Sequence, residues 1–192
     1  MRKHLRLDEY KVLLYRILLA YVFYFFARIL FYLFNAKLLK VDSIADFLSL
    51  CYYGIPFDTT AILYVNVLFI VLSILPFRKN TNAGYQKFLF YLYFATNLLA
   101  YATNFVDLIY YKFTYARTTT AVMNVIEHEV NLSKLFTSFL VDFWYVFVLF
   151  LVFAALWIYA YTRVKVSAAK PIKNLHYYGF SVVGFLFFSL LI

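Results

Sequence analysis

Val12 to Phe34 reads VLLYRILLAYVFYFFARILFYLF, an apolar run interrupted by charge only at Arg16 and Arg28. About 20 apolar residues in an α-helix cross the ~30 Å hydrocarbon core of a bilayer, so this run is long enough to span it. Arg2, Lys3 and Arg6 precede it, as they would in a secretory leader. The apolar region is too long for a leader, and no small-residue cleavage site follows it, so it is expected to remain as a helix.

The rest of the chain has the same character. Of its 192 residues, 66% are hydrophobic, 24% aromatic and only 14% charged, with a mean hydropathy of +0.79. A water-soluble domain has about half its residues apolar and about a quarter charged. This chain cannot cover such a surface with polar groups, so its exterior is expected to face lipid. The formal charge of +9 does not point to nucleic acid, because the basic residues sit in short clusters between apolar runs. There they act as topology signals and contacts for anionic lipid. The single Cys51 excludes an internal disulfide and is expected as a small buried apolar residue. Four Gly and three Pro leave no flexible linker, which implies one compact unit.

Four further spans and two amphipathic stretches follow. Asn35 to Pro56 mixes Lys37, Lys40, Asp42 and Asp46 with apolar residues at 44, 47, 48 and 51, the spacing of a short interfacial amphipathic helix. Gly54 and Pro56 then punctuate the chain, and a second span is expected over about 57–77, with Asp58, Thr59 and Thr60 as N-cap-type residues. A third span covers about 88–111. A second amphipathic stretch, Lys112 to Lys134, is too polar to cross. A fourth span covers about 136–161, and a fifth, 177–192, is still fully apolar at Ile192. The fold class is therefore all-α and membrane-embedded, with about five transmembrane helices and two short interfacial helices. The fifth run extends only about 24 Å, so it is expected to be incomplete, with the chain continuing beyond Ile192.

Orientation follows from the basic residues. With the N-terminus inside, Arg2, Lys3, Arg6, Arg78, Lys79, Lys87, Arg163, Lys165, Lys170 and Lys173 are cytoplasmic, ten against the five of Lys37, Lys40, Lys112, Arg117 and Lys134 outside. Short loops biased in this way fix a cytoplasmic N-terminus, and five spans deliver an extracytoplasmic C-terminus. Seven of the nine acids, Asp42, Asp46, Asp58, Asp107, Glu127, Glu129 and Asp142, then fall in the outer half.

Ionisable residues in apolar runs are costly and are functional candidates by default. Arg16 and Lys11 are close enough to the cytoplasmic end to snorkel. Arg28, nearer the outer end, is open to snorkelling, to a structural ion pair or to a lipid phosphate. Asn104 and Asp107 share a helix face, with Asn97 two turns earlier on nearly the same stripe. Together with Arg28, Asp58 and Arg117 they form a candidate polar cluster at the outer mouth. It is open to three readings: capping and ion pairing between spans, a pocket for a lipid headgroup, or an ion pathway. The last needs acids deeper in the spans, where essentially none lie, and a transporter needs polar residues at the midplane and broken helices or inverted repeats, neither of which is seen.

Other constellations are weak. Glu127, His128 and Glu129 point about 100° apart on a helix and are read as a solvated loop rather than a metal site. His4 and His176 lie in basic flanks. Thr118, Thr119 and Thr120 lack an adjacent base. No GxSxG, phosphate-binding glycine loop, HExxH or CxxC is present. Tyr10, Tyr52, Tyr53, Tyr110, Tyr111 and Tyr161 collect at expected interfaces and are read as anchors. No catalytic residue is identified within the chain.

Gly54-Ile55-Pro56-Phe57-Asp58-Thr59-Thr60-Ala61, then Asn97, Asn104-Phe105-Val106-Asp107, Tyr111-Lys112-Phe113 and Arg117-Thr118-Thr119, occur in an order that resembles the membrane domain of lipoteichoic-acid-synthase-like, sulfatase-type proteins, especially their Bacteroidetes branch. The resemblance implies five transmembrane helices in the inner membrane, followed after residue 192 by an extracytoplasmic domain of the alkaline phosphatase superfamily. That domain carries a Thr nucleophile and a divalent metal, often Mn²⁺. It transfers phosphoglycerol or phosphoethanolamine from phosphatidylglycerol or phosphatidylethanolamine, or hydrolyses a sulfate-type ester. On this resemblance the chain is the membrane anchor of such an enzyme, and its partners are membrane lipids and its own C-terminal domain. A transporter or flippase subunit, or a structural membrane protein, is the alternative.

Overall fold

The computed structural model describes residues 7–39, 43–75, 82–115, 117, 137, 140–166 and 174–189. The principal elements among them are five α-helices: α1 (Leu7–Leu39), α2 (Ile44–Ile74), α3 (Ala83–Thr114), α4 (Trp144–Arg163) and α5 (Asn174–Ser189). Helices suit this composition because they satisfy their own backbone hydrogen bonds wherever water is absent.

Three segments are long and apolar enough to cross a membrane: Asp8–Leu39, Ile44–Ile74 and Trp144–Arg163. The third expected span corresponds to α3, 32 residues long but less apolar, with Gln86, Asn97, Asn104 and Asp107 along it. The fifth corresponds to α5, which has 16 residues. Stretch 118–136, including the Thr118–Thr120 run and Glu127–Glu129, lies outside the described residues, as do His4, Asp42, Lys170 and Lys173.

The third span, expected over about 88–111, extends over Ala83–Thr114, and two further boundaries bear on packing. Gly54 and Pro56 do not separate an interfacial helix from a span, because α2 runs unbroken through both. Proline removes one N–H, that of residue 56, so only the Tyr52 carbonyl loses its helical donor. The next turn is reinforced as the hydroxyls of Thr59 and Thr60 donate to the carbonyls of Ile55 (2.8 Å) and Pro56 (3.0 Å). The N-cap is accordingly Ser43, whose hydroxyl accepts from the Asp46 N–H at 3.1 Å, and not Asp58-Thr59-Thr60. In α1 the expected end at Phe34 coincides with a kink at Asn35 (φ −121°, ψ 15°), after which helix continues to Leu39. The buried Asn35 amide donates to the Phe31 carbonyl (3.0 Å) and across to the Leu108 carbonyl (3.3 Å), pinning α1 to α3 at the kink.

α3 is central, packing on α1, α2 and α4, while α5 touches α2. α2 and α3 run antiparallel: Leu72 faces Tyr85, Phe69 faces Tyr93 and Asn66 faces Asn97. The core is aromatic. Phe23 stacks on the fully buried Trp157 at 4.7 Å and 3°, and Tyr93 and Tyr101 meet the same indole edge-on. Edge-to-face and offset-stacked rings attract beyond simple burial. The tyrosines therefore divide. Tyr52 and Tyr53 are exposed, whereas Tyr161, expected as an interfacial anchor, is buried in the core. Cys51 is buried and free of any disulfide, as a small apolar residue would be.

Candidate functional site

The outer candidates are brought together in two ion-paired groups that flank α1. In the first, Arg28 reaches from α1 across α2. Its Nη2 lies 2.6 Å from Asp58 Oδ2 and donates to the Gly54 carbonyl at 3.1 Å. Gly54 makes this possible, since a Cβ there would overlap the guanidinium itself. Both side chains of the pair retain 22% of their surface, so the pair is partly open. Because α2 begins at Ile44, Asp58 stands about 21 Å along its axis. The pair therefore joins the flanks of two helices instead of capping one.

In the second group the chain turns back on itself. α3 ends at Tyr115, a non-glycine residue in the left-handed region (φ 55°, ψ 17°), whose N–H donates to the Tyr111 carbonyl at 3.0 Å. That turn folds Arg117 over the last turns of α3. Its Nε lies 3.1 Å from Asp107 Oδ2, Nη2 donates to Asn104 Oδ1 at 3.4 Å, and the guanidinium covers the Phe31 ring at 4.8 Å. Asp107 is almost buried (side chain 9% exposed) and Arg117 is half exposed. Phe31 is one turn from Arg28 on α1, so the two groups are neighbours. They present two guanidinium and two carboxylate groups at one end of the bundle.

Asn97 does not join them. The stripe that carries Asn97, Asn104 and Asp107 divides. Asn97 forms a reciprocal amide pair with Asn66 of α2 (3.0 and 2.7 Å), and both residues are completely buried. Each amide also donates to its own helix, to the Ile62 (2.9 Å) and Tyr93 (2.8 Å) carbonyls. The expectation of polar-free span interiors is thereby corrected. Asn66 was legible in the sequence as the one amide in the run Ala61 to Leu75, but its partner was not.

At the opposite end, Arg16 is not a snorkelling residue. It is 6% exposed, with both Nη atoms 3.1 Å from Gln86 Oε1 and the guanidinium 4.3 Å above the Tyr161 ring. Its carbonyl accepts from the Tyr93 hydroxyl (2.8 Å), which in turn accepts from Trp157 Nε1 (3.2 Å). The expectation of snorkelling rested on distance from the helix end, whereas the partners that bury Arg16 come from other helices.

Among the described residues, no three of His, Cys, Asp and Glu converge where a metal ion would sit. Comparison of the chain with protein-family models, curated proteins and solved structures finds no match.

Proposed function

We propose that this chain is the membrane-anchoring domain of a lipid-dependent phosphotransferase or sulfatase-like hydrolase of the cell envelope. In this reading α3 and α5 cross the inner membrane along with the three most apolar helices. The N-terminus is cytoplasmic, and the catalytic domain, with its divalent metal, lies outside and beyond Ile192. The observation that carries the reading is the pairing of Arg28 with Asp58 and of Arg117 with Asp107 and Asn104 at one end of the bundle. Guanidinium groups beside carboxylate, half exposed at Arg117 and partly exposed at Arg28, are suited to the phosphate and polar substituents of a lipid headgroup, because arginine offers a planar fork of donors to phosphate oxygens. An anchor of this kind holds the enzyme beside its lipid and raises the effective substrate concentration.

The test is turnover by the full reading frame expressed in membranes: Mn²⁺-dependent release of diacylglycerol from labelled phosphatidylglycerol and phosphatidylethanolamine, with Asp58→Ala and Arg117→Ala alongside. Turnover that falls in both variants supports headgroup binding here. Turnover indifferent to them makes the chain a passive anchor, and a frame without turnover sinks the enzyme reading. The buried Asn66–Asn97 pair favours a second reading, a transporter or flippase subunit, since polar groups inside a span are what such proteins use.

A further inference from the structure

The end of the bundle opposite the ion-paired groups carries a second, separate feature. There the start of α1, the end of α2, the start of α3 and the end of α4 converge, held by hydrogen bonds from Tyr15 to the Ala160 carbonyl (2.9 Å) and from Tyr85 to the Leu72 carbonyl (2.8 Å). Lys11, Lys87, Arg163 and Lys165 are exposed around this end. Between the helices is a slot of ≈ 10 Å³ whose lining includes Glu9, Leu13, Arg16, Ser73, Gln86 and Leu89. That volume is about one water-sized sphere, room for a single oxygen atom.

The chemistry of the slot is set by Arg16. Arg16 is more than nine-tenths buried as a residue, yet the partners of its guanidinium are a neutral amide oxygen and a ring face. Neither of the ion pairs formed among the described residues involves it. Its Nε is buried without a hydrogen-bond partner. Glu9 also lines the slot and carries an interaction of its own, but no ion pair among the described residues joins it to Arg16. The buried cation has only neutral direct partners, which costs several kcal/mol of lost hydration that an anion brought to it offsets. Basic pockets between membrane helices are where anionic headgroups bind.

We propose that this slot is an anion site in which Arg16 receives one oxygen of a phosphate group, with the rest of the phosphate at the mouth among Lys11, Lys87, Arg163 and Lys165. The source of the phosphate is the headgroup of an anionic phospholipid in the adjacent leaflet or a soluble phosphate. Gln86 holds the guanidinium in place, and Ser73 forms part of the wall opposite. The site does not depend on the proposed function, because it uses none of the residues of the ion-paired end.

The test is native mass spectrometry of the full chain released from mild detergent, titrated with phosphatidylglycerol and with phosphatidylcholine, each with and without 10 mM inorganic phosphate (a working concentration of about that order). Two variants accompany it: Arg16→Gln removes the charge, and Ser73→Leu fills the slot while leaving Arg16 in place. The wild type should prefer phosphatidylglycerol by about five- to tenfold, and both variants should reduce that preference to within about twofold. Competition by inorganic phosphate assigns the site to soluble phosphate, and its absence assigns it to the lipid. Retained preference in either folded variant would overturn the proposal, because the exposed lysines alone would then account for binding. A wild type with no preference and no phosphate adduct would overturn it equally. Should Arg16→Gln fail to fold, Ser73→Leu decides the matter.

Discussion

Replacing Gly54 with alanine offers a sharp test of the Arg28–Asp58 geometry, because two effects oppose each other. Within a helix, Gly→Ala ordinarily stabilises by about 0.5–1 kcal/mol, as the backbone of the unfolded chain has less freedom to lose. Here the added methyl would occupy the space of the Arg28 guanidinium, so the arginine must leave. Its departure removes the 2.6 Å ion pair to Asp58 and the 3.1 Å hydrogen bond to the Gly54 carbonyl. A charge-assisted hydrogen bond contributes about 1.5–3 kcal/mol, and breaking a fully buried pair costs about 3–5. With each side chain 22% exposed, solvent screens part of that, leaving a loss of about 2–3 kcal/mol. The net expectation for Gly54→Ala is destabilisation of about 1–2 kcal/mol, or roughly 3–6 °C in melting temperature for a chain of this size. Scanning fluorimetry in nanodiscs reads it through the buried Trp157. The control is the Arg28→Met background, where the guanidinium is gone and Gly54→Ala should be neutral or stabilising. An alanine variant as stable as wild type, or equal effects in the two backgrounds, would refute the claim that Gly54 exists to seat Arg28.

Three further outcomes are expected. Asn66→Leu and Asn97→Leu should each destabilise by about 1–2 kcal/mol by orphaning the partner amide, and the double variant should recover much of the loss in a thermal double-mutant cycle. Tyr93→Phe should cost about 1–2 kcal/mol and shift the fluorescence of Trp157, since it deletes the hydroxyl that joins the Arg16 carbonyl to the indole N–H. Tyr115→Gly should stabilise by up to about 1 kcal/mol in the same melting assay, because glycine adopts the left-handed conformation of this cap without strain. Arg117 must stay paired with Asp107 in that variant, which Asp107→Asn checks by losing the gain.

Where composition and periodicity speak for themselves, the sequence was decisive. The runs expected over Val12–Phe34 and about 136–161 contain helices apolar enough to cross a membrane, Asp8–Leu39 and Trp144–Arg163, whatever their neighbours, because an isolated helix satisfies its own backbone and its side chains face lipid. Arg28, Asp58, Asn104, Asp107 and Arg117 stood out as costly polar residues in apolar surroundings, and they are drawn into pairs. Which residue pairs with which was not legible, since that depends on the rotation and depth of helices distant in sequence. Asn97 shares a stripe with Asn104 yet bonds to Asn66, 31 residues away, because α2 lies against that turn of α3. Glycine and proline at 54 and 56 looked like a break, but a helix loses only one hydrogen bond to a proline, and tertiary contact decides whether it continues. Arg16 shows the same division: a snorkelling distance can be counted from sequence, whereas its burial follows from Gln86 and Tyr161 arriving from other helices. Sequence alone thus determined that the chain is helical and suited to lipid, a matter of local hydrogen bonding and hydropathy. Tertiary structure decided where its charges are neutralised, because desolvation is set by what packs around a group rather than by its place along the chain.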